Sequence, residues 1–405
     1  LESMEINQNT IRDILTMRYD PSIDIKKEKF SWKDFEQRNY SNHLNRIEEI
    51  ICDAIKTGVG NEKRVSVALS GGIDSTLVIS LLRKIFPDIG IDAISVKFAD
   101  SVDETNIATK IAENINAEHH IIPIDNFLEE LPSAIGIFKM PFWDTHWYHV
   151  VKTAKQFSKI LISGDGGDEL FGGYTFRYEK FLSKLSENMI PIDKAKLYME
   201  CHERDWVSDQ KDLFGNKVNF NWNDIYSILV PYFDNKLSPI NQIFLADMNG
   251  KLLFNWIPMN TSFFEYFDVK SLTPLLSKNL ISFATHLDYN IKYNQDKNLG
   301  KIPLREILVK HVDPNFVTPK KQGFSVNTVN LWKSQGKKLC DYYLSDARIV
   351  KDKWISEDWI KSHFNKLDEN PDVRYVNKFL GLLAFEVWYR IFVTNEMSPE
   401  TKLKL

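Results

Sequence analysis

The stretch Val65-Ser66-Val67-Ala68-Leu69-Ser70-Gly71-Gly72-Ile73-Asp74-Ser75 constrains the fold more than any other part of the chain. Val65 to Leu69 is a short apolar run with charge upstream and glycine downstream, the pattern of a buried parallel strand. Ser70, Gly71 and Gly72 follow as a tight turn in which backbone can approach a ligand without Cβ interference. Asp74, Ser75 and Thr76 are start signals for a helix whose apolar face is Leu77, Val78, Leu81 and Leu82. Strand, glycine turn and helix N-terminus together make an anion site, because unsatisfied N–H groups and the positive dipole end face the same point. Leu69, Ser70, Gly71, Gly72, Asp74 and Ser75 are therefore candidate binding residues. The phosphate-loop pattern G-x-x-x-x-G-K-[ST] is absent. Without its flanks the stretch would be an ordinary serine–glycine turn; strand and helix on either side favour the anion.

From Arg64 onward apolar runs alternate with helical periodicity, which predicts an α/β parallel sheet. The expected strands after the first are Ile91–Phe98, His119–Ile124 and Lys159–Ser163, and the expected helices are Thr105–Asn114 and Trp147–Phe157. Open sheets bind ligands at the carboxyl ends of their strands, and both glycine-rich stretches, after Leu69 and after Ile162, fall at such ends. Val96 and Phe98, at the end of the second strand, are placed to flank a nucleotide base, with core membership the competing reading. Beyond Tyr178 the alternation stops. Helical segments are expected at Tyr178–Ser186, Pro239–Phe254, Lys278–Asp288 and Asn377–Val393, the last closing the core with Leu380, Leu383, Phe385, Trp388 and Phe392. Residues 216–235 are polar and turn-rich and read as an insertion or disordered loop. In outline the chain divides into a leader over 4–60, a nucleotide-binding region over 61–177 and a mainly helical region over 178–405.

The second glycine-rich stretch is S-G-D-G-G-D-E-L-F-G-G-Y, Ser163 to Tyr174. Its glycines, acids and aromatic directly after a strand exceed what a plain acidic turn needs. Ser163, Gly164 and Asp165 join the candidate ligand-binding residues. Asp74 and Asp168 are candidate Mg²⁺ ligands, since hard oxygen donors beside phosphate oxygens suit that ion. Asp165 is then left for proton transfer or polar positioning.

S-G-G-x-D-S resembles the pyrophosphate loop of ATP pyrophosphatases. Followed by S-G-D-G-G-D-E-L-F-G-G-Y, it resembles the synthetase domain of the glutamine-dependent asparagine synthetase family, with β-lactam synthetases and lasso-peptide cyclases as similar relatives. The resemblance covers residues 15–395 as an order of elements, with its specific motifs in 65–75 and 163–174. It implies an ATP-pyrophosphatase fold, of the adenine nucleotide alpha hydrolase-like type, with a mainly helical C-terminal portion. ATP and Mg²⁺ are the implied cofactors. The implied reaction is adenylation of a carboxylate, release of pyrophosphate, and transfer of ammonia or an amine to the acyl group. Family members also carry a lysine three residues before a phenylalanine, which maps to Lys321 in Lys320-Lys321-Gln322-Gly323-Phe324. A lysine over the acyl carbon suits charge building on a tetrahedral intermediate; losing one such donor costs on the order of 3–4 kcal/mol. Taken alone, a Lys-Lys pair is a solvated turn.

Two departures matter. Where the family has Glu-x-Arg-x-Pro-(Phe/Leu)-Leu-Asp, this chain reads Lys270-Ser271-Leu272-Thr273-Pro274-Leu275-Leu276-Ser277, which puts aspartate as the acceptor in doubt. Fewer than seventy residues precede the first glycine turn, too few for the family's N-terminal glutaminase. Nitrogen is then expected from ammonia, from a separate glutaminase, or from an amine on the substrate. The competing functions are a cyclase or ligase forming an amide in a peptide or specialised metabolite, a tRNA-modifying ATP pyrophosphatase, and a non-catalytic ATP-binding subunit.

Composition serves mainly to exclude. A formal net charge of −4 with 26% charged residues gives no reason to expect nucleic acid or an anionic membrane as a partner. No apolar run has the length of a membrane span. Cys52, Cys201 and Cys340 are isolated, so neither a disulfide framework nor a C-x-x-C metal site is indicated, and a reduced, cytoplasmic setting is expected. The resemblance implies a small-molecule or peptide carboxylate as substrate, and the oligomeric state, a homodimer included, stays open. Lesser candidates are His146 and His149 as a metal pair, His119 and His120, Asp103 and Glu104 beside the phosphates, and Trp143 and Trp256 beside the acceptor.

Overall fold

Short β-branched runs of five residues or so, separated by amphipathic helices, can bury both strand faces only by stacking side by side under helical layers. The computed structural model describes residues 6–99, 105–317 and 327–405. Within them β1 (Arg64–Ala68), β2 (Gly90–Phe98), β3 (Glu118–Ile124), β4 (Ile160–Ile162) and β5 (Lys270–Leu272) form one sheet in the order β3-β2-β1-β4-β5. All four pairings are parallel, with Val65 opposite Ile91 and Val67 opposite Ile162.

The N-terminal part contributes α1 (Gln8–Met17), capped by the Asn7 side chain and ended by Arg18 in the left-handed region at φ 65°. It buries Ile11, Ile14 and Leu15. Next, α2 (His43–Val59) turns Ile47, Ile51, Ile55 and Val59 to the core, a one-face spacing of four. The helices between strands are α3 (Ile73–Ile85), α4 (Thr105–Asn114), α5 (Leu131–Phe138) and α6 (His146–Ala154), and the short α7 (Gly167–Phe171) lies in the second glycine-rich stretch. The final helix, Val373–Phe392, buries Leu380, Leu383, Phe385, Trp388 and Phe392 as expected and packs on α5. No helix among the described residues is long and apolar enough to cross a membrane.

Three expectations are corrected. Residues 216–235 are not a loop: Trp222–Phe233 is a helix capped by Asn221, burying Ile225, Leu229 and Phe233 and packed on the helix Pro191–Glu200. Pro231, inside its last turn, and the polar residues before it hid the periodicity. The alternation does not stop at Tyr178, because β5 adds a fifth parallel strand beside β4. Three residues with polar Lys270 and Ser271 carry no apolar-run signal. The expected single helix 239–254 is broken, since Gly250 adopts φ −105°, ψ −125° and lies against the Tyr19 ring.

Candidate active site

The strand order reverses between β1 and β4: the chain leaves β1 toward β2 on one side and returns through β4 on the other. Such a switch point opens a crevice at the carboxyl ends of the two strands. The turn after β1 and the turn after β4 both face it.

In the first turn Gly71 takes φ 80°, in the left-handed region where glycine costs least. Ser70 Oγ and Ser75 Oγ lie 3.1 Å apart, and the Gly72 amide donates to Ser70 Oγ at 3.3 Å. Leu69 is buried, and its carbonyl accepts the Ser95 hydroxyl at 2.5 Å. The turn is thus held from inside, and Asp74 falls in the first turn of α3.

The second turn explains why so many glycines are needed. A Cβ on Gly164 would lie 2.7 Å from the backbone carbonyl carbon of Asp74, and one on Gly167 would lie 2.3 Å from Asp74 Oδ1. A Cβ on Gly173 would lie 1.8 Å from Asp168 Oδ1. The glycines allow one loop to close directly onto the other, and so bring Asp74 and Asp168 to one point. That point is filled by a residue the motifs did not flag: Lys301 Nζ donates to Asp74 Oδ2 at 2.6 Å and pairs with Asp168 Oδ1 at 2.8 Å. Burial alone would lower the Lys301 pKa, but the two carboxylates outweigh it and hold the ammonium firmly charged. Arg305, four residues on, adds a second cation within electrostatic range of Asp74.

Asp165 stands beside this cluster. Burial raises its pKa to about 7, with Asp74 and Asp168 pushing the same way and a hydrogen bond from Ser163 opposing. A carboxyl that titrates near neutrality can hold or release a proton at working pH. Behind the loop, Tyr174 donates to the buried Glu169 at 2.6 Å, and Arg177 lies over the Tyr174 ring while pairing with Asp247 at 2.6 Å. The end of the motif is thereby tied to the helical region.

The structure therefore brings together Leu69, Ser70, Gly71, Gly72, Asp74, Ser75, Ser163, Gly164, Asp165 and Asp168. Val96 and Phe98 end β2 on the same edge of the sheet; both are buried, with the Phe98 ring edge-on to Phe127 at 5.3 Å. Lys321, Asp103 and Glu104 lie outside the described residues. Trp143 is buried next to Phe127 and beneath the Arg18 guanidinium. His146 and His149 join no group of three potential ligands among the described residues. Burial pushes His149 down to about 4, the state of a neutral packed ring. His119 is held by Ser95, and His120 stacks on Phe157. Among the described residues one three-ligand group does exist, Asp92, Glu118 and His120. It sits at the amino ends of β2 and β3, and the Arg64 guanidinium already pairs with both of its carboxylates.

The altered segment 270–277 turns partly away from the crevice. Lys270 Nζ donates to the Gly58 carbonyl at 2.9 Å, and Leu272 packs against Gly58 at the end of α2. Ser277 accepts from the Leu280 amide and caps the next helix. Leu276 is the member that reaches the second glycine turn, where it lies against Gly166.

The two carboxylates fit a divalent cation. Both present oxygen to one spot that already holds a point charge, and hard oxygen donors are what Mg²⁺ selects.

The family model described as asparagine synthase matches residues 46–390. Asparagine synthetase [glutamine-hydrolyzing] 1 of Bacillus subtilis (strain 168) is 24% identical over 402 residues, covering 88% of this chain and 61% of the relative. A putative asparagine synthetase [glutamine-hydrolyzing] of Mycobacterium bovis is 28% identical over 415 residues, covering 92% and 61%. The chain thus spans 61% of the length of these curated relatives. Solved structures with local likeness include an NH3-dependent NAD synthetase from Campylobacter jejuni, with 24% identity, 32% of this chain and 60% of that chain covered, and TM-score 0.26. An NMN synthetase from Francisella tularensis has 15% identity, 52% and 94% coverage, and TM-score 0.26. On the extent of the family match, this chain belongs to the asparagine synthase family.

Proposed function

We propose that the chain is an ATP-dependent amide-forming ligase that adenylates a carboxylate and passes the acyl group to ammonia or an amine. The observation that carries this reading is the convergence of Asp74, Asp168 and Lys301 under two glycine turns at the switch point, with Asp165 beside them.

The first turn of α3 offers amide donors to the phosphates, beside the close backbone approach that the glycine turn allows. Asp74 and Asp168 would hold Mg²⁺, which supplies charge neutralisation to the triphosphate when bound. Lys301 and Arg305 add positive charge where pyrophosphate leaves, so that breaking the bond between the α- and β-phosphates is stabilised electrostatically. The acid's carboxylate oxygen attacks the α-phosphorus and gives acyl-AMP. A neutral amine then attacks the acyl carbon, AMP departs, and Asp165 takes up the amine proton. Lys321 is assigned to the charge on the tetrahedral intermediate. Positioning of acid, α-phosphate and amine in one crevice supplies much of the rate.

The 270–277 segment supports one side of the finer choice between a free small acid with ammonia and a larger acid carrying or meeting its own amine. Lys270 and Leu272 face α2, and apolar Leu276 lines the second turn. This favours an acceptor recognised partly through apolar contact, as in a cyclase or specialised amide ligase. The test is ATP–pyrophosphate exchange screened over carboxylic acids, aspartate included, with and without ammonia. Acid-dependent exchange is expected. ADP as the nucleotide product would overturn the reading.

A further inference from the structure

Lys301 carries a feature the reaction scheme does not use. Its ammonium occupies the very place where Asp74 and Asp168 would grip a metal ion, at hydrogen-bond distance from both. The position is built into the backbone. Lys301 adopts φ 56°, a left-handed conformation that costs a non-glycine residue energy. It is held there because its amide donates to the Phe171 carbonyl at 2.8 Å. The preceding Gly300 is pressed so close that a Cβ would come 1.8 Å from the Gly172 carbonyl oxygen. A Cβ on Gly173 would lie 2.7 Å from Lys301 Cε. Strain and close packing thus serve to deliver one ammonium to one pair of carboxylates.

An ion bound at about 2.0–2.1 Å from the same oxygens cannot share that spot with the ammonium. A free divalent ion must expel a charged group that two carboxylates hold at hydrogen-bond distance. A triphosphate changes this balance, because it carries more negative charge than one divalent ion cancels and its oxygens accept the displaced ammonium.

We infer that Lys301 is a tethered counter-cation that closes the Asp74–Asp168 pair to free metal, so that the ion enters only together with the triphosphate. The nucleotide half of this statement rests on the function proposed above; the metal half does not. Lys301 acts here as a positioning residue for the two ligands, and it holds both carboxylates on one ammonium.

The test is Mn²⁺ binding to the full chain, followed by the loss of the free-ion signal in electron paramagnetic resonance, without nucleotide and without turnover. Lys301→Met should bind Mn²⁺ more tightly than the unaltered protein by about 10-fold or more. Mn²⁺ should raise the melting temperature of Lys301→Met and leave that of the unaltered protein unmoved. Equal affinities in the two proteins would overturn the inference. Should Lys301→Met fail to fold, the unaltered protein decides alone: Mn²⁺ binding should appear only when an ATP analogue with a non-cleavable α–β bridge is added. Binding equally tight without the analogue would overturn it. A protein that passes these tests yet forms no AMP would refute the catalytic reading and leave this one standing.

Discussion

Gly167 lies so close to Asp74 that a side-chain carbon would come within 2.3 Å of the carboxylate oxygen. Two motifs more than ninety positions apart in sequence are thus locked together by the absence of a single methyl group. Gly167→Ala should push the Asp74 carboxylate off the shared point while leaving the sheet intact. A displacement of about 1 Å is enough for a loss of about 100-fold in AMP formation. Circular dichroism should stay unchanged. Activity within twofold of the parent would show that the contact does not set the geometry.

Asp165 should make stability depend on pH in a particular sense. Its pKa is raised from 3.8 to about 7 by burial, with Asp74 and Asp168 adding to it against the Ser163 hydrogen bond. The folded protein therefore binds the extra proton between these values. The stabilisation is full below the lower value and is lost as pH rises through the upper one. Asp165→Asn, fixed in the neutral form, should melt higher than the parent at pH 8, with the difference closing toward pH 4. Amide formation should fall in the same variant. A constant melting difference across that range would contradict the assignment.

His202 gives the opposite slope. Arg177 Nη1 donates to His202 Nε2 at 3.2 Å, so Nε2 is the acceptor and the ring proton sits on Nδ1, donating to the Tyr198 carbonyl at 2.8 Å. Burial first, and then the nearby Arg177 and Lys251, depress the pKa from 6.5 to about 3. The unfolded chain binds the proton in this window and the folded one does not, so stability present above the upper value is lost as pH falls. Melting temperature should decline between about pH 6.5 and 4, and His202→Gln should flatten that decline. An unchanged slope in the variant would locate the acid sensitivity elsewhere.

Leu229 reports on the segment whose sequence reads as loop. It is buried in the helix Trp222–Phe233 against Pro191–Glu200. Leu229→Ala should lower the unfolding free energy by about 2–5 kcal/mol in urea titration. A change within about 0.5 kcal/mol, as for a solvated loop, would contradict the packing.

Much of this site is legible in the chain because its strongest signals are local. Val65 to Leu69 can hardly be anything but a buried strand, and the glycines after it and after Ile162 place two turns on one edge of a sheet. What is not legible is what crosses the crevice. Lys301 follows a glycine and opens a short helix with Arg305 four residues on, an arrangement common on solvated faces. The one hint is that a lysine at a helix start works against the helix dipole. β5 is invisible for a related reason: three residues, two of them polar, become a strand only because β4 offers an edge. Pro231 hides a helix that tertiary packing restores. In each case the deciding partner lies far along the chain.

The most direct test of the account follows oxygen. With the acid that supports pyrophosphate exchange, labelled with ¹⁸O in its carboxylate, the enzyme should transfer one labelled oxygen to AMP, with pyrophosphate formed in equal amount and ADP absent. Label in inorganic phosphate alongside ADP would mean that the bond broken lies between the β- and γ-phosphates, and the proposed role of the crevice would be wrong.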